Sequence, residues 1–231
     1  MTLRMRHGLI ALVLVVGIAG SSSVQAQDSS FTVPPSAERH QAQGPVTAFR
    51  PSPTDLADIA RVEKYLNEIK TVESKFLHTA SNGHEAHGTF YMMRPGRMRL
   101  EYDPPIKDEV VADGSFLFFW DDELKQQSST PLGGSLADFI LRENLKMAGD
   151  ITVTGVIRGP GLLEISLVET AETGKGELTL VFDDRPLRLR KWRVIDAQRV
   201  MTTVALLNPK LGVPLKRDLF FFHDHSIEPS R

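Results

Sequence analysis

The 231-residue sequence predicts a mainly β (α+β) fold, in which one large antiparallel sheet curls into a barrel or half-barrel. From residue 71 onward, apolar and polar residues alternate mostly with a period of two. Turn-forming residues divide this region at regular intervals, and only two segments of the chain beyond its N-terminal region show helical spacing. Short strands at even spacing are typical of meandering antiparallel sheets.

The N-terminal 26 residues predict a secretory signal peptide. Arg4 and Arg6 precede the apolar run "GLIALVLVVGIAG", and Val24 and Ala26 occupy the −3 and −1 positions of a cleavage site. The alternative, a membrane-spanning helix, fits less well, because this run would be about 20 Å long against about 30 Å for a hydrocarbon core. We therefore expect an exported protein that is cleaved near Ala26.

Composition excludes several classes of partner. The chain has no cysteine, so its core must hold without disulfides, and no thiol follows the signal peptide to receive a lipid anchor. Removal of residues 1–26 takes away two arginines and no acid, which changes the net charge from −2 to −4. This charge predicts neither nucleic-acid binding nor a basic membrane-surface patch. The expected mature protein is soluble and monomeric.

Residues 27–53 predict a flexible tail, because they are rich in Pro, Ser and Gln and contain few large apolar side chains. A short docking segment is the alternative. The first helix follows in "SPTDLADIARVEKYLNEI", where Ser52 or Thr54 can cap and acidic residues occupy the first turn. Its apolar residues recur at helical spacing: Leu56, Ile59, Leu66 and Ile69.

The strands come next, and turn residues mark their ends. Pro95-Gly96 suits a type II turn, and Asp113-Gly114 is a strong hairpin signal. The predicted strands are residues 71–78, 87–94, 97–103, 107–112, 115–121, 124–129, 151–157, 162–169, 176–183, 187–195, 199–207 and 217–223.

A second helix interrupts the strands in "TPLGGSLADFILRENLKM". Ser135 and Asp138 form a pair resembling a capping box, and Leu136, Phe139 and Ile140 form an apolar stripe. Two interpretations remain open at this point. The helices either plug the sheet as an ordinary α+β core or cover a cavity.

Two strands supply candidate cavity residues. In "RMRLEY", Met98, Leu100 and Tyr102 share one face. In "FLFFW", one face carries Phe116, Phe118 and Trp120, and the other carries Leu117 and Phe119. Periodicity alone does not distinguish a solid core from a cavity. The candidate wall residues are Met98, Leu100, Tyr102, Phe116, Phe118 and Trp120.

The sequence offers little for catalysis. It has no phosphate-binding glycine loop, no Gly-x-Ser-x-Gly elbow and no cysteine nucleophile. His84-Glu85-Ala86-His87 lacks the spacing of a zinc-protease helix, and His223-Asp224-His225 supplies two histidines that are usually solvated near a chain end. We expect no enzymatic activity, no cofactor and no metal, although a hydrolase stays open as a minor alternative.

The stretch from Gly88 to Gln126 resembles the LolA family of periplasmic outer-membrane lipoprotein carriers. The resemblance rests on Arg94-Pro95-Gly96, Arg99, Tyr102, Pro105, Asp113-Gly114 and the aromatic strand. The C-terminal half agrees through Trp192, Val194, Asp196, Thr202, Leu206, Asn208 and "LFFF". The chain departs from the family at Phe76-Leu77-His78, at Leu100 and in the aromatic strand, which leaves the acyl-chain fit open.

The resemblance implies an incomplete antiparallel barrel, a curled sheet of about 11 strands with a helical lid on its concave face. Residues 54–225 would form this domain. The protein would be a periplasmic chaperone that accepts acylated lipoproteins from an inner-membrane lipoprotein-releasing ABC transporter and passes them to an outer-membrane acceptor lipoprotein. A related lipid- or glycolipid-binding or sensor module is the alternative.

The resemblance also assigns roles to the lid and its latch. Leu136, Phe139 and Ile140 would form the lid, and Arg94 would latch it by donating to lid carbonyl groups. The strand register that the sequence allows does not decide whether Arg94 faces the lid. With a two-residue turn at Pro95-Gly96, Arg94 lies on the outer face, whereas a longer turn or a bulge places it on the inner face.

Overall fold

The computed structural model describes residues 49–223, so the predicted signal peptide, most of the tail and the last eight residues lie outside it. The described chain contains two α-helices, α1 (Pro53–Glu68) and α2 (Asp138–Leu141). Eleven strands accompany them: β1 (Thr71–Thr79), β2 (Glu85–Met93), β3 (Arg97–Tyr102), β4 (Glu109–Asp113), β5 (Phe116–Asp121), β6 (Gln126–Pro131), β7 (Ile151–Gly159), β8 (Leu162–Glu169), β9 (Gly176–Asp183), β10 (Arg188–Asp196) and β11 (Met201–Leu211).

All eleven strands form one antiparallel sheet that curls without closing. Its order is β6-β5-β4-β3-β2-β1-β11-β10-β9-β8-β7, so the two meanders meet where β1 pairs with β11. Strands β6 and β7 remain as free edges. The prediction of an incomplete antiparallel barrel of about eleven strands is confirmed. No helix in residues 49–223 is long and apolar enough to cross a membrane.

Helix α1 begins where its sequence supplies an N-cap. The Ser52 hydroxyl accepts a hydrogen bond from the backbone N–H of Asp55 at 3.2 Å, and the Asp55 carboxylate accepts one from the Ser52 backbone at 2.8 Å. Pro53 then starts the helix, where its missing N–H costs nothing. The inner side of α1 buries Ile59, Val62 and Leu66 against the concave face of the sheet.

Two predicted elements differ from the structure. The second helix is only one turn, Asp138–Leu141, and the Ser135 hydroxyl donates to the Leu132 carbonyl instead of capping it. Residues 217–223 form no strand. They contain a 3₁₀ turn, Arg217–Phe220, that packs on the outer face of β3 and β4. Since both of those strands already have two neighbours, no free edge is available there and only side-chain packing remains.

Candidate functional site

An apolar cavity lies on the concave face of the sheet. Its volume is about 810 Å³, counted with the space at its open mouth. Residues of β3, β9 and β10 form one wall, and residues 134–137 with Ile140 form the cover. The apolar wall comprises Met98, Leu100, Leu178, Trp192 and Val194. Thr130 and three partly exposed charged residues complete the lining: Glu169, Lys175 and Asp196.

Residues 132–147 cross the open side of the curled sheet and are called the lid segment below. Leu136 and Ile140 line the cavity, while Phe139 is buried in the core without lining it. Leu141 and Leu145 are fully buried. Of the three predicted lid residues, two therefore face the cavity directly, and their role in binding stays a prediction.

Arg94 fastens the lid segment to the β2–β3 hairpin and to α1. The last pair of this hairpin is Met93 with Arg97, so the turn has three residues and Arg94 lies on the inner face. Its Nε donates to the Ile140 carbonyl oxygen at 2.8 Å, and its Nη1 donates to the Leu66 carbonyl oxygen. Burial lowers the pKa of Arg94 to about 10, so the side chain remains charged at neutral pH.

The same hairpin makes a second contact with the lid segment. The backbone N–H of Gly96 donates to the Leu141 carbonyl oxygen at 2.8 Å. Gly96 has a φ of +77°, and a Cβ atom at this position would lie 2.9 Å from the Cα of Gly114. Only glycine fits this turn without strain, which explains the Pro-Gly pair in the sequence.

The far end of the lid segment is tied to α1 by side chains. Asn67 Nδ2 donates to the Leu145 carbonyl oxygen at 3.0 Å, and the Leu145 N–H donates to Asn67 Oδ1 at 2.8 Å. One turn earlier, Glu63 Oε1 accepts from the Met147 N–H at 2.5 Å. Helix α1 thus provides the base on which residues 145–147 rest.

Helix α1 is itself held to the sheet. Arg158 on the free edge strand β7 contacts Asp55 and Asp58 at 2.8 and 2.6 Å. Arg61 pairs with Asp184 at 2.6 Å. The Tyr65 hydroxyl accepts from the Leu189 N–H at 3.1 Å. The ion pairs are partly exposed and each contributes little alone, but together they fix the helix at several points.

The prediction that Phe116, Phe118 and Trp120 line the cavity is wrong. Val111 lies opposite both Arg99 and Phe118, so Phe118 shares the outer face with the arginine. Phe118 stacks on Phe222 there, with ring centroids 4.9 Å apart. The inner residues of β5 are Leu117 and Phe119, which pack against the core. The outer face of β5 is apolar because the C-terminal segment covers this side of the sheet.

Tyr102 points inward, as predicted, but does not line the cavity. Its hydroxyl lies 2.9 Å from Nδ1 of His78, and its ring packs edge-on against Phe76. Both residues of this polar pair are buried in the sheet. Burial lowers the pKa of His78 to about 4 and raises the pKa of Tyr102, so both side chains are neutral at pH 7.

A second apolar cavity lies between α1, β2, β10 and β11, with a volume of about 430 Å³ when the open space at its mouth is counted. Ile140 and Trp192 line both cavities and therefore separate them. Arg94 also lines the second cavity.

Among the functional residues that the sequence alone did not reveal, Asn67 carries no recognisable signal. Trp192 was visible as the large aromatic residue of "RLRKWRV", but a bulge between Leu189 and Lys191 interrupts the alternation that would assign its face.

An unclosed curled sheet with an apolar cavity under a helical cover defines a half-barrel of the lipid-binding kind. The family model described as outer membrane lipoprotein carrier protein LolA matches residues 67–223, about two thirds of the chain. The chain belongs to this family, as its motifs predicted.

Curated relatives carry the same description. An outer-membrane lipoprotein carrier protein from Methylococcus capsulatus is 25% identical over 171 residues, which cover 71% of this chain and 82% of the relative. One from Chromobacterium violaceum is 29% identical over 94 residues, which cover 39% of this chain and 46% of the relative. The chain thus matches less than half the length of the second relative.

Solved structures are similar at lower identity. A LolA superfamily protein from Nitrosomonas europaea is 12% identical with a TM-score of 0.38, and the match covers 71% of this chain and 97% of that one. The structure of MucB is 16% identical with a TM-score of 0.41, and the match covers 75% of this chain and 65% of that one. The family assignment rests on the sequence match.

Proposed function

We propose that the protein is a periplasmic chaperone that binds the acyl chains of lipoproteins released from the inner membrane and carries them to the outer membrane. The observation that carries this proposal is the apolar cavity beneath the lid segment, in a chain of the LolA family. An inner-membrane lipoprotein-releasing ABC transporter would supply the cargo, and an outer-membrane acceptor lipoprotein would receive it.

The closed lid explains how such a carrier can release its cargo. Transfer of an acyl chain of some fifteen carbons from water is favourable by about 10 kcal/mol, at about 0.8 kcal/mol per methylene. In the closed form Leu136 and Ile140 line the cavity and pack against the apolar core. They would lose that packing when an acyl chain enters. Net affinity is then the difference between two apolar contacts, which is smaller than the full transfer free energy.

Arg94 is the proposed latch of the closed form. Its charged hydrogen bonds to Ile140 and Leu66 join the β2–β3 hairpin, the lid segment and α1 at one point. Opening the lid segment breaks the bond to Ile140 while Asn67 still holds Leu145. The lid segment would therefore swing about its α1 end.

Binding to a matched pair of cargo proteins tests the function. The purified protein is mixed with a triacylated lipoprotein and with the same lipoprotein in which the acylated cysteine is replaced by serine. Co-elution with the acylated form alone is expected. Equal recovery of both forms, or of neither, would refute the proposal. Lipids extracted from protein purified from the periplasm give a second readout, in which bound glycolipid would favour the alternative module.

A further inference from the structure

The second cavity combines an apolar lining with one buried cation. Its walls include Val72, Phe90, Met92 and Leu206, and among the described residues that line it Arg94 alone is charged. Only 7% of Arg94 is exposed. Such a lining suits an apolar chain that carries a negative group at one end.

The charge of Arg94 has no acidic partner in residues 49–223. Its hydrogen bonds go to two neutral carbonyl oxygens, and burial is the sole cause of its lowered pKa. The Leu66 carbonyl lies at the C-terminal end of α1, where the helix dipole offsets the charge in part. A full negative charge would offset it further, because an uncompensated cation in an apolar site is costly.

The guanidinium also retains donors. Nε and Nη1 are used by Ile140 and Leu66, whereas Nη2 donates to no acceptor among the described residues. A charge-assisted bond from this nitrogen to a carboxylate oxygen is shorter and stronger than a bond to a neutral carbonyl oxygen, so a carboxylate is the better match for Nη2.

We propose that the second cavity is a binding site for a long-chain carboxylate of the fatty-acid class, whose carboxylate pairs with Arg94 and whose chain contacts the apolar lining. This site does not depend on the proposed carrier function. An ester carbonyl of an acylglyceryl group presents an oxygen to the same nitrogen but no charge. A preference for the free acid over its ester therefore distinguishes the two sources of ligand.

The first experiment measures binding of palmitate and methyl palmitate to the purified, delipidated protein. Four forms are compared: wild type, Arg94→Gln, Leu206→Trp to fill the second cavity, and Ile157→Trp as the control at an exposed strand position that lines neither cavity. Palmitate affinity should fall about tenfold or more in the first two variants and stay unchanged in the third. Wild type should bind methyl palmitate about tenfold more weakly than palmitate.

Three outcomes overturn the proposal: unchanged palmitate affinity in Arg94→Gln, unchanged palmitate affinity in Leu206→Trp, or equal affinity for the acid and the ester. A second measurement needs no variant and covers the case in which Arg94→Gln fails to fold. Carboxyl-¹³C palmitate bound to wild type should keep the chemical shift of the ionised form down to about pH 5. A carboxyl group in an apolar cavity without a cation would instead be protonated well above that pH. Binding of acylated lipoprotein, measured on the same samples, reports separately on the carrier function.

Discussion

Asn67 and Leu145 form a two-way hydrogen-bonded pair, with the side-chain amide of Asn67 taking the place of a backbone partner at 3.0 and 2.8 Å. Leu145 is fully buried, so its N–H and carbonyl groups have no water to replace these bonds. The pair joins positions 78 residues apart and fixes the C-terminal end of the lid segment to α1. A buried backbone group left without a hydrogen-bond partner is costly, so the Asn67 side chain stabilises the fold by pairing two such groups.

Asn67→Ala should lower the free energy of unfolding by about 2 kcal/mol, since it removes both bonds and leaves two buried backbone groups unpaired. Urea denaturation measures the loss, and hydrogen exchange should show faster exchange at the Leu145 amide. Lys64→Ala is the matched control, because Lys64 is an exposed residue of the same helix. Equal stability of the two variants would show that residues 145–147 are held by apolar packing alone.

Arg94→Leu should favour the open form by a factor of about ten or more, because it removes charged hydrogen bonds to the lid segment and α1. The variant should still take up lipoprotein, accumulate with it in the periplasm and pass it slowly to an acceptor. Arg94→Lys should rescue this only in part, because an ammonium group cannot reproduce the planar fork. Transfer of loaded cargo in solution is the measurement, and wild-type rates in Arg94→Leu would exclude the latch.

Val194→Glu and Phe118→Glu place the same charge on opposite faces of the sheet. Val194 lines the larger cavity, whereas Phe118 stacks on Phe222 outside it. We expect Val194→Glu to weaken binding of an uncharged fluorescent acyl ester about tenfold or more, because a carboxylate in the cavity wall disfavours an apolar ligand. Phe118→Glu should lower stability with little change in probe affinity. The reverse pattern would place the binding surface on the outer face.

The sheet could be predicted from the sequence because strand and turn signals are local. Met98 and Leu100 alternate with arginines, and the structure places both on the inner face. The same reasoning failed at Phe118, because both faces of β5 are apolar and only the distant C-terminal segment explains why. Local periodicity identifies two faces but does not say which one curls inward.

The contacts of the lid segment could not be predicted in the same way. Whether Arg94 lies inside depends on a turn of three residues instead of two, a choice that the Pro-Gly pair leaves open. The partners of Arg94 and Asn67 are backbone carbonyls and amides, which every residue possesses and no sequence pattern marks. The family resemblance supplied the latch role, and the geometry supplies the atoms it would use.

The pair formed by His78 and Tyr102 makes stability sensitive to acid. His78 is buried beside the Tyr102 hydroxyl, and burial lowers its pKa from 6.5 to about 4 in the folded protein. The unfolded chain therefore binds more protons between these values. The contribution of neutral His78 to the free energy of unfolding should be fully present above about pH 6.5. It should be lost as the pH falls towards 4, because protonation favours the unfolded chain.

The expected loss attributable to His78 is about 3 kcal/mol between pH 7 and pH 4, at about 1.4 kcal/mol per pKa unit. Urea denaturation of wild type and His78→Gln across this range measures it, since carboxylates that titrate in both proteins cancel in the difference. Glutamine keeps a hydrogen-bonding group near Tyr102 but does not titrate. As the pH falls, the free energy of unfolding should therefore decrease more in wild type than in His78→Gln. Parallel pH profiles would mean that His78 is protonated in the folded protein as readily as in the unfolded chain, and that the acid sensitivity arises elsewhere.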